Sequence, residues 1–319
     1  MLRTLLLTAV LFASAGVLAG ALPGAAQAAP AILAQPGCDP ADNVPGGSKP
    51  GEAASEPCSP TIDRAIATAK MNAALSYSAY LEGKGSKATV DAYEAWLRAL
   101  TGEQPRAVVR LDDPSARASA SIQKFFWPYE QINPNYCGPA TAMSILRFLG
   151  PSTSKTPNKQ GIRDQLTGVA ETDQEMFAGN FWLATAKNGQ TYWGEKYMPF
   201  TLNGWRGTKW YIQSATPGLE GGTLTRDQAL AAIKFDTDRS YPVAENVLYS
   251  NRTYYPAGFW PGVTYAHWDT VYGHYLQNGR QVVQVGQVYH DKRLPFDRFQ
   301  DVDWETHWSA LGGWHGLVW

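Results

Sequence analysis

The chain has 319 residues, 44% hydrophobic and 17% charged, which is enough apolar material for a packed core and excludes wholesale disorder. Twenty-seven Lys+Arg against 28 Asp+Glu leave a net charge of −1 with no basic cluster, so nucleic acid is not an expected partner. Twelve tryptophans point to a rigid, β-containing core or an aromatic-lined groove.

In chain order, Arg3, the apolar run Leu5–Ala21, the breakers Pro23 and Gly24 and the small-residue pattern Ala26-Gln27-Ala28 read as a signal peptide over 1–28. The run is short for crossing about 30 Å of hydrocarbon, and no later stretch is apolar enough. A secreted, extracellular chain with no membrane anchor after signal cleavage is expected. Residues 29–60 form a Pro/Gly-rich linker, in which Cys38 and Cys58 are able to close a disulfide loop in an oxidising compartment. Cys137 is then left without a partner, and an odd cysteine in a secreted chain is either buried and inert or a reactive thiol.

Apolar residues at three-to-four spacing predict a helix from Thr61 to Glu82, broken at Gly83, and a second over Thr89–Leu100, stopped at Gly102. This helical extension, residues 61–104, is too small to bury its own surface and should pack on the C-terminal part of the chain. It reads as a packing extension or as an inhibitory pro-segment. Within 119–319, Pro139–Leu149 predicts a helix apolar nearly all round, hence buried, and Thr225 with Gln228 forms a capping box for another. Strands are expected at Pro242–Tyr249, His267–Tyr272, Gln281–Tyr289 and Gly316–Trp319, with Asn278-Gly279 as a hairpin turn. Helices followed by an antiparallel sheet give an α+β class.

Cys137 stands where a turn (Asn133-Pro134-Asn135) meets the buried helix. A thiol there feels the positive helix end and free N–H groups, which favour the thiolate. A histidine is needed to take its proton. Of the five histidines, His267 heads a strand and is the candidate base. His274 is the rival, otherwise a surface or turn residue, and His290, His307 and His315 read as surface or core-polar residues. Gln131, six residues before the cysteine, is placed to join the Cys137 N–H as a donor to an oxyanion. No zinc-type spacing, phosphate loop or nucleotide fingerprint is present, so neither a metal nor another cofactor is expected.

The run Gln131-Ile-Asn-Pro-Asn-Tyr-Cys137-Gly-Pro-Ala resembles the active-site segment of papain-like cysteine peptidases, and is most similar to the bacterial branch related to bacteriocin-leader (double-glycine) peptidases. Tyr241–Val247 and His267–Gly273 resemble the two core strands of that family, the second opening with its catalytic histidine. The resemblance covers about residues 126–319. It implies a papain-like fold, a buried helix carrying the cysteine packed on an antiparallel sheet carrying the histidine, with the helical hairpin added in front. It also implies a thiol hydrolase acting on a peptide or protein, with Cys137, His267 and Gln131 in family order. The family's orienting Asp or Asn is not at its usual place after the next strand. Gln287 and Asp291 are the candidates, Gln284 is a register alternative and Asp269 a further one. A monomer is expected. A cell-wall peptide amidase or transpeptidase uses the same chemistry, and a non-catalytic binding module on the same fold is the reading from another class. The aromatic-rich segment 180–222 is expected either to line a cleft wall or to pack as an insertion.

Overall fold

A computed structural model describes residues 64–103, 126–150, 174, 177–178, 189–195, 197–206, 208–219, 221–289 and 292–319. Among these, six helices surround one antiparallel sheet of six strands: α1 (Arg64–Leu81), α2 (Lys87–Thr101), α3 (Cys137–Leu149), α4 (Met198–Arg206), β1 (Gln213–Ala215), α5 (Arg226–Thr237), β2 (Val243–Tyr249), β3 (Tyr265–Gln277), β4 (Arg280–Gly286), β5 (Phe299–Asp303), α6 (Trp304–Leu311) and β6 (Gly316–Val318). The sheet order is β1-β6-β2-β3-β4-β5, so the C-terminal strand is inserted beside β2 and the two strands that matter most here, β2 and β3, are central. The expected signal peptide, the expected linker with Cys38 and Cys58, Phe181, Trp182, His290 and Asp291 all lie outside the described residues. No described helix is long and apolar enough to cross a membrane.

The expected mixture of helices and an antiparallel sheet is found, with differences in extent. β3 runs from Tyr265 to Gln277, so His267 is its third residue and does not open it. Eight consecutive residues of β3, His267–His274, are buried, because both faces of this central strand are covered. At the β3–β4 turn both Asn278 and Gly279 have positive φ, at 52° and 77°, the twist a two-residue hairpin needs and the reason this pair occurs there. β1, β5, α4 and α6 were not anticipated. The two strands have three and five residues, too few for an alternation to register, and α6 is only eight residues long.

α5 starts as its sequence requires. Thr225 accepts from the Gln228 N–H, and the Gln228 side chain accepts from the Thr225 N–H. α1 and α2 pack on each other, and α1 packs on α5. The joint is charged and buried. Lys70 meets Asp236 at 2.9 Å with both side chains fully enclosed, and its ammonium lies over the rings of Trp210 and Trp319. Arg239 pairs with Glu94, and Tyr77 donates to Asp238 at 2.6 Å. Burial lowers the Lys70 ammonium to about 8 in spite of Asp236, and burial likewise raises the Asp236 carboxyl. Trp210 and Tyr211 sit wholly in this core, so this part of the aromatic-rich segment packs and lines no surface.

Candidate active site

α3 begins at Cys137 because Pro139, lacking an N–H, is tolerated in a first turn, and it stops at Gly150, whose N–H closes on the Leu146 carbonyl. Its N-cap, Tyr136, has no side-chain cap bond, so it leaves the first-turn N–H groups uncapped. Ten of its thirteen residues are buried, while Cys137 itself is half-buried and a free thiol. Gly138 is dictated by contact: a Cβ there would lie 2.1 Å from Oγ1 and 2.3 Å from Cβ of Thr191. The helix is tied to β3 by the Thr141 hydroxyl, which donates to the Trp268 carbonyl at 3.2 Å. The Trp268 indole N–H donates to the Thr191 carbonyl at 3.1 Å, closing a ring of contacts around the helix start.

Trp268 lies between the two residues of chemical interest. His267 and Asp269 project from the same face of β3, since alternate strand residues share a face. Nε2 of His267 lies 3.1 Å from Oδ1 of Asp269, a close contact that does not meet hydrogen-bond geometry. The Cys137 thiol is near enough to the same imidazole to raise its affinity for a proton. With Nε2 facing Asp269, Nδ1 is the ring nitrogen that remains for another partner. Burial by itself lowers the affinity of this imidazole for a proton. The charge and contact of Asp269, followed by those of Cys137, outweigh it and push His267 up to about 10. The ring is enclosed by Phe259 and Tyr289, whose ring centroids lie 5.3 and 5.9 Å away.

Asp269 is itself held. Tyr249 on β2 donates its hydroxyl to Oδ2, and Gln287 donates Nε2 to the same oxygen at 3.0 Å and to the Tyr249 oxygen at 3.1 Å. This corrects the expectation for Gln287. Its amide oxygen has no hydrogen-bond partner among the described residues and does not take the imidazole N–H, and its contact with the histidine runs through Asp269. Gln284 is turned elsewhere, donating to Asp301 at 3.1 Å. Of the three candidates for the orienting position that lie among the described residues, Asp269 is the one in contact with His267. The spacing of two was visible in the sequence. Tyr249, which with Gln287 makes the site fit a carboxylate, was not, and Gln287 was expected to be the orienting group itself. His274 is likewise no surface residue: it is buried, with Nε2 2.9 Å from Oδ1 of Asp238.

Gln131 arrives on a loop fastened at three points. Its N–H donates to the Val288 carbonyl at 2.6 Å, the Tyr129 N–H to Oγ of Ser144 on α3 at 2.9 Å, and the Ile132 N–H to the amide oxygen of Gln174 at 3.0 Å. Gln174, fully buried and not anticipated, also donates to the Glu130 carbonyl at 2.8 Å. The Gln131 amide nitrogen donates to the Asn133 carbonyl at 2.8 Å, which also accepts the Tyr136 N–H at 3.0 Å. The amide therefore stands beside the turn that leads into Cys137, with a second N–H hydrogen to give. Among the described residues no group of three or more His, Cys, Asp and Glu is suited to hold a metal ion. No family model matches the chain, and neither a curated protein nor a solved structure matches it significantly.

Proposed function

We propose that the protein is a secreted, papain-like cysteine peptidase that cleaves peptide bonds through a covalent acyl-enzyme. The observation that carries this reading is the meeting of a half-buried thiol at a helix start with an enclosed imidazole that has a carboxylate at 3.1 Å on its other nitrogen. A nucleophile, a base and a third group that orients the base are what thiol acyl transfer needs.

In the proposed reaction the Cys137 thiol gives its proton to Nδ1 of His267, and Asp269 stabilises the imidazolium. The sulfur attacks the carbonyl carbon of the peptide. The oxyanion that forms is held by the Cys137 N–H and the Gln131 amide. His267 returns the proton to the leaving amine as the C–N bond breaks. A water, deprotonated by the same imidazole, then releases the acid and restores the thiol. An amidase or transpeptidase acting on cell-wall peptides would use the same steps with another leaving group or acceptor.

Digestion of a mixed peptide library, read by mass spectrometry as new N-termini, tests the reading. The intact protein should generate them and Cys137→Ala should not. Gln131→Ala should slow the reaction by about 100-fold or more, the usual cost of one oxyanion donor. Peptides retained but never cut, with no acylation of Cys137, would contradict the peptidase and favour the binding module.

A further inference from the structure

The two oxygens of Asp269 have different surroundings. Oδ1 faces Nε2 of His267 at 3.1 Å and makes no hydrogen bond among the described residues. Oδ2 accepts twice, from the Tyr249 hydroxyl and from Nε2 of Gln287 at 3.0 Å. The two donors are themselves joined, since Nε2 of Gln287 lies 3.1 Å from the Tyr249 oxygen. Tyr249, Asp269 and Gln287 are fully buried, so bulk water does not compete for these bonds. Each comes from a different part of the sheet. Tyr249 ends β2, where it pairs with Tyr265, and Asp269 lies within β3. Gln287 follows β4 and is fixed by its own N–H, which donates to the Arg298 carbonyl at 2.9 Å.

Chemistry fixes the direction of every bond in this triangle. A carboxylate has no hydrogen to give, a phenol has one, and an amide nitrogen has two and accepts none. Tyr249 therefore gives its hydrogen to Asp269, and its oxygen accepts from Gln287. Burial, and after it the charge of Asp269, raise the Tyr249 hydroxyl well above its ordinary range, so that hydrogen stays. Turning the Gln287 amide over would set its oxygen against two oxygens with no hydrogen left for it, which gives the amide one orientation. Two donors on Oδ2 stop the carboxylate from turning and offset part of the cost of enclosing its charge. The titratable groups facing His267 are Asp269 from its own strand, Cys137 from α3, Glu245 and Tyr249 from β2 and Tyr289 after β4.

We infer that Tyr249 and Gln287 are positioning residues: gripping Oδ2 of Asp269 between them, they present Oδ1 to His267. The inference rests on the Cys137–His267 pair proposed above and deepens it. Neither residue takes a step in the proposed reaction, and both act through Asp269.

The test is the titration of the His267 ring, followed by NMR in protein labelled on its histidines, with His267→Gln to assign the signal. In the intact protein the midpoint should lie near pH 10. Tyr249→Phe keeps the ring and removes the donor. It should lower the midpoint by about one pH unit, a tenfold weaker hold on the proton and the size of a lost bond to a charged group. Gln287→Met should act in the same direction, and it keeps the measurement available should Tyr249→Phe not fold. Asp269→Asn should give the largest fall, and Tyr249→Phe added to it should change nothing more, because the influence runs through that carboxylate. An unmoved midpoint with a lower unfolding temperature would make the triangle merely structural and overturn the inference. So would a rise, which would mean that the two donors only drain charge from Asp269. Labelling of Cys137 by iodoacetamide at about pH 6 separates this claim from the one beneath it. A rate indifferent to His267→Gln would overturn the catalytic reading, and the positioning role with it. A rate that depends on His267, beside an unmoved midpoint, would overturn the positioning role alone.

Discussion

Two buried polar clusters sit in one fold and differ in the cation they contain. Where α1, α2 and α5 meet, the acids Asp236 and Glu94 face Lys70 and Arg239. On the face of β2 and β3, Asp269 and Glu245 face His267 and His307. Lys70 and Arg239 carry only donors and are enclosed against their acids, so the first cluster acts as a clamp. An imidazole has two ring nitrogens, so His267, raised to about 10 beside Asp269, also meets the Cys137 thiol. The same burial that makes a clamp in one place makes acid–base chemistry available in the other.

The largest effect that would sharpen the contrast is on stability. Lys70→Ala leaves Asp236 fully enclosed without its cation, and should cost about 3–5 kcal/mol, read as a fall in the urea midpoint. Lys70→Met with Asp236→Leu should recover much of that, because a clamp is replaceable by apolar packing. A single variant as stable as the parent would break the comparison. Such a joint also bears on the helical hairpin: cutting the chain between residues 104 and 118 should leave the hairpin attached through α5, with Cys137 reactivity unchanged.

Next in size, Gly138→Ala forces a Cβ to within 2.3 Å of the Thr191 Cβ, so either the helix start or the 189–191 segment must move. The expected cost is about 1–3 kcal/mol in thermal unfolding, with slower alkylation of Cys137. Thr191→Gly in the same chain should restore both.

The smallest effect is in pH dependence. His267 is raised in the folded chain from 6.5 to about 10. A group shifted upward on folding contributes stability that is fully present below about pH 6.5 and is lost as pH rises through about 10. Lys70, lowered from 10.5 to about 8, acts with the opposite sign above about pH 8. The two separate in a difference: the stability of the parent minus that of His267→Gln should decline from about pH 6.5 to 10. A flat difference would mean that Asp269 does not hold the imidazolium.

Much of this was legible in the sequence, and the reason differs by element. The turn before Cys137, the first-turn proline and the apolar run after it announce the buried helix and put the thiol at its start. The Thr225–Gln228 box and the Asn278-Gly279 turn are local devices, and local devices can be read locally. Asp269 was visible only as a spacing. What makes it the partner of His267 is the β2–β3 register, which brings Tyr249 and Glu245 to that face, and the chain's return after β4, which brings Gln287. No run of residues along β3 carries that information. His307 was similarly obscure, because α6 comes directly after β5 and is too short to present a periodicity.

The most direct measurement is the rate of Cys137 carboxamidomethylation by iodoacetamide across pH, followed by mass spectrometry, with His267→Ala beside the parent. The account predicts a rate already high at about pH 5–6 that collapses in the variant, the behaviour of a thiolate paired with an imidazolium. A rate that rises only near about pH 8.5, or identical profiles for the two proteins, would contradict it.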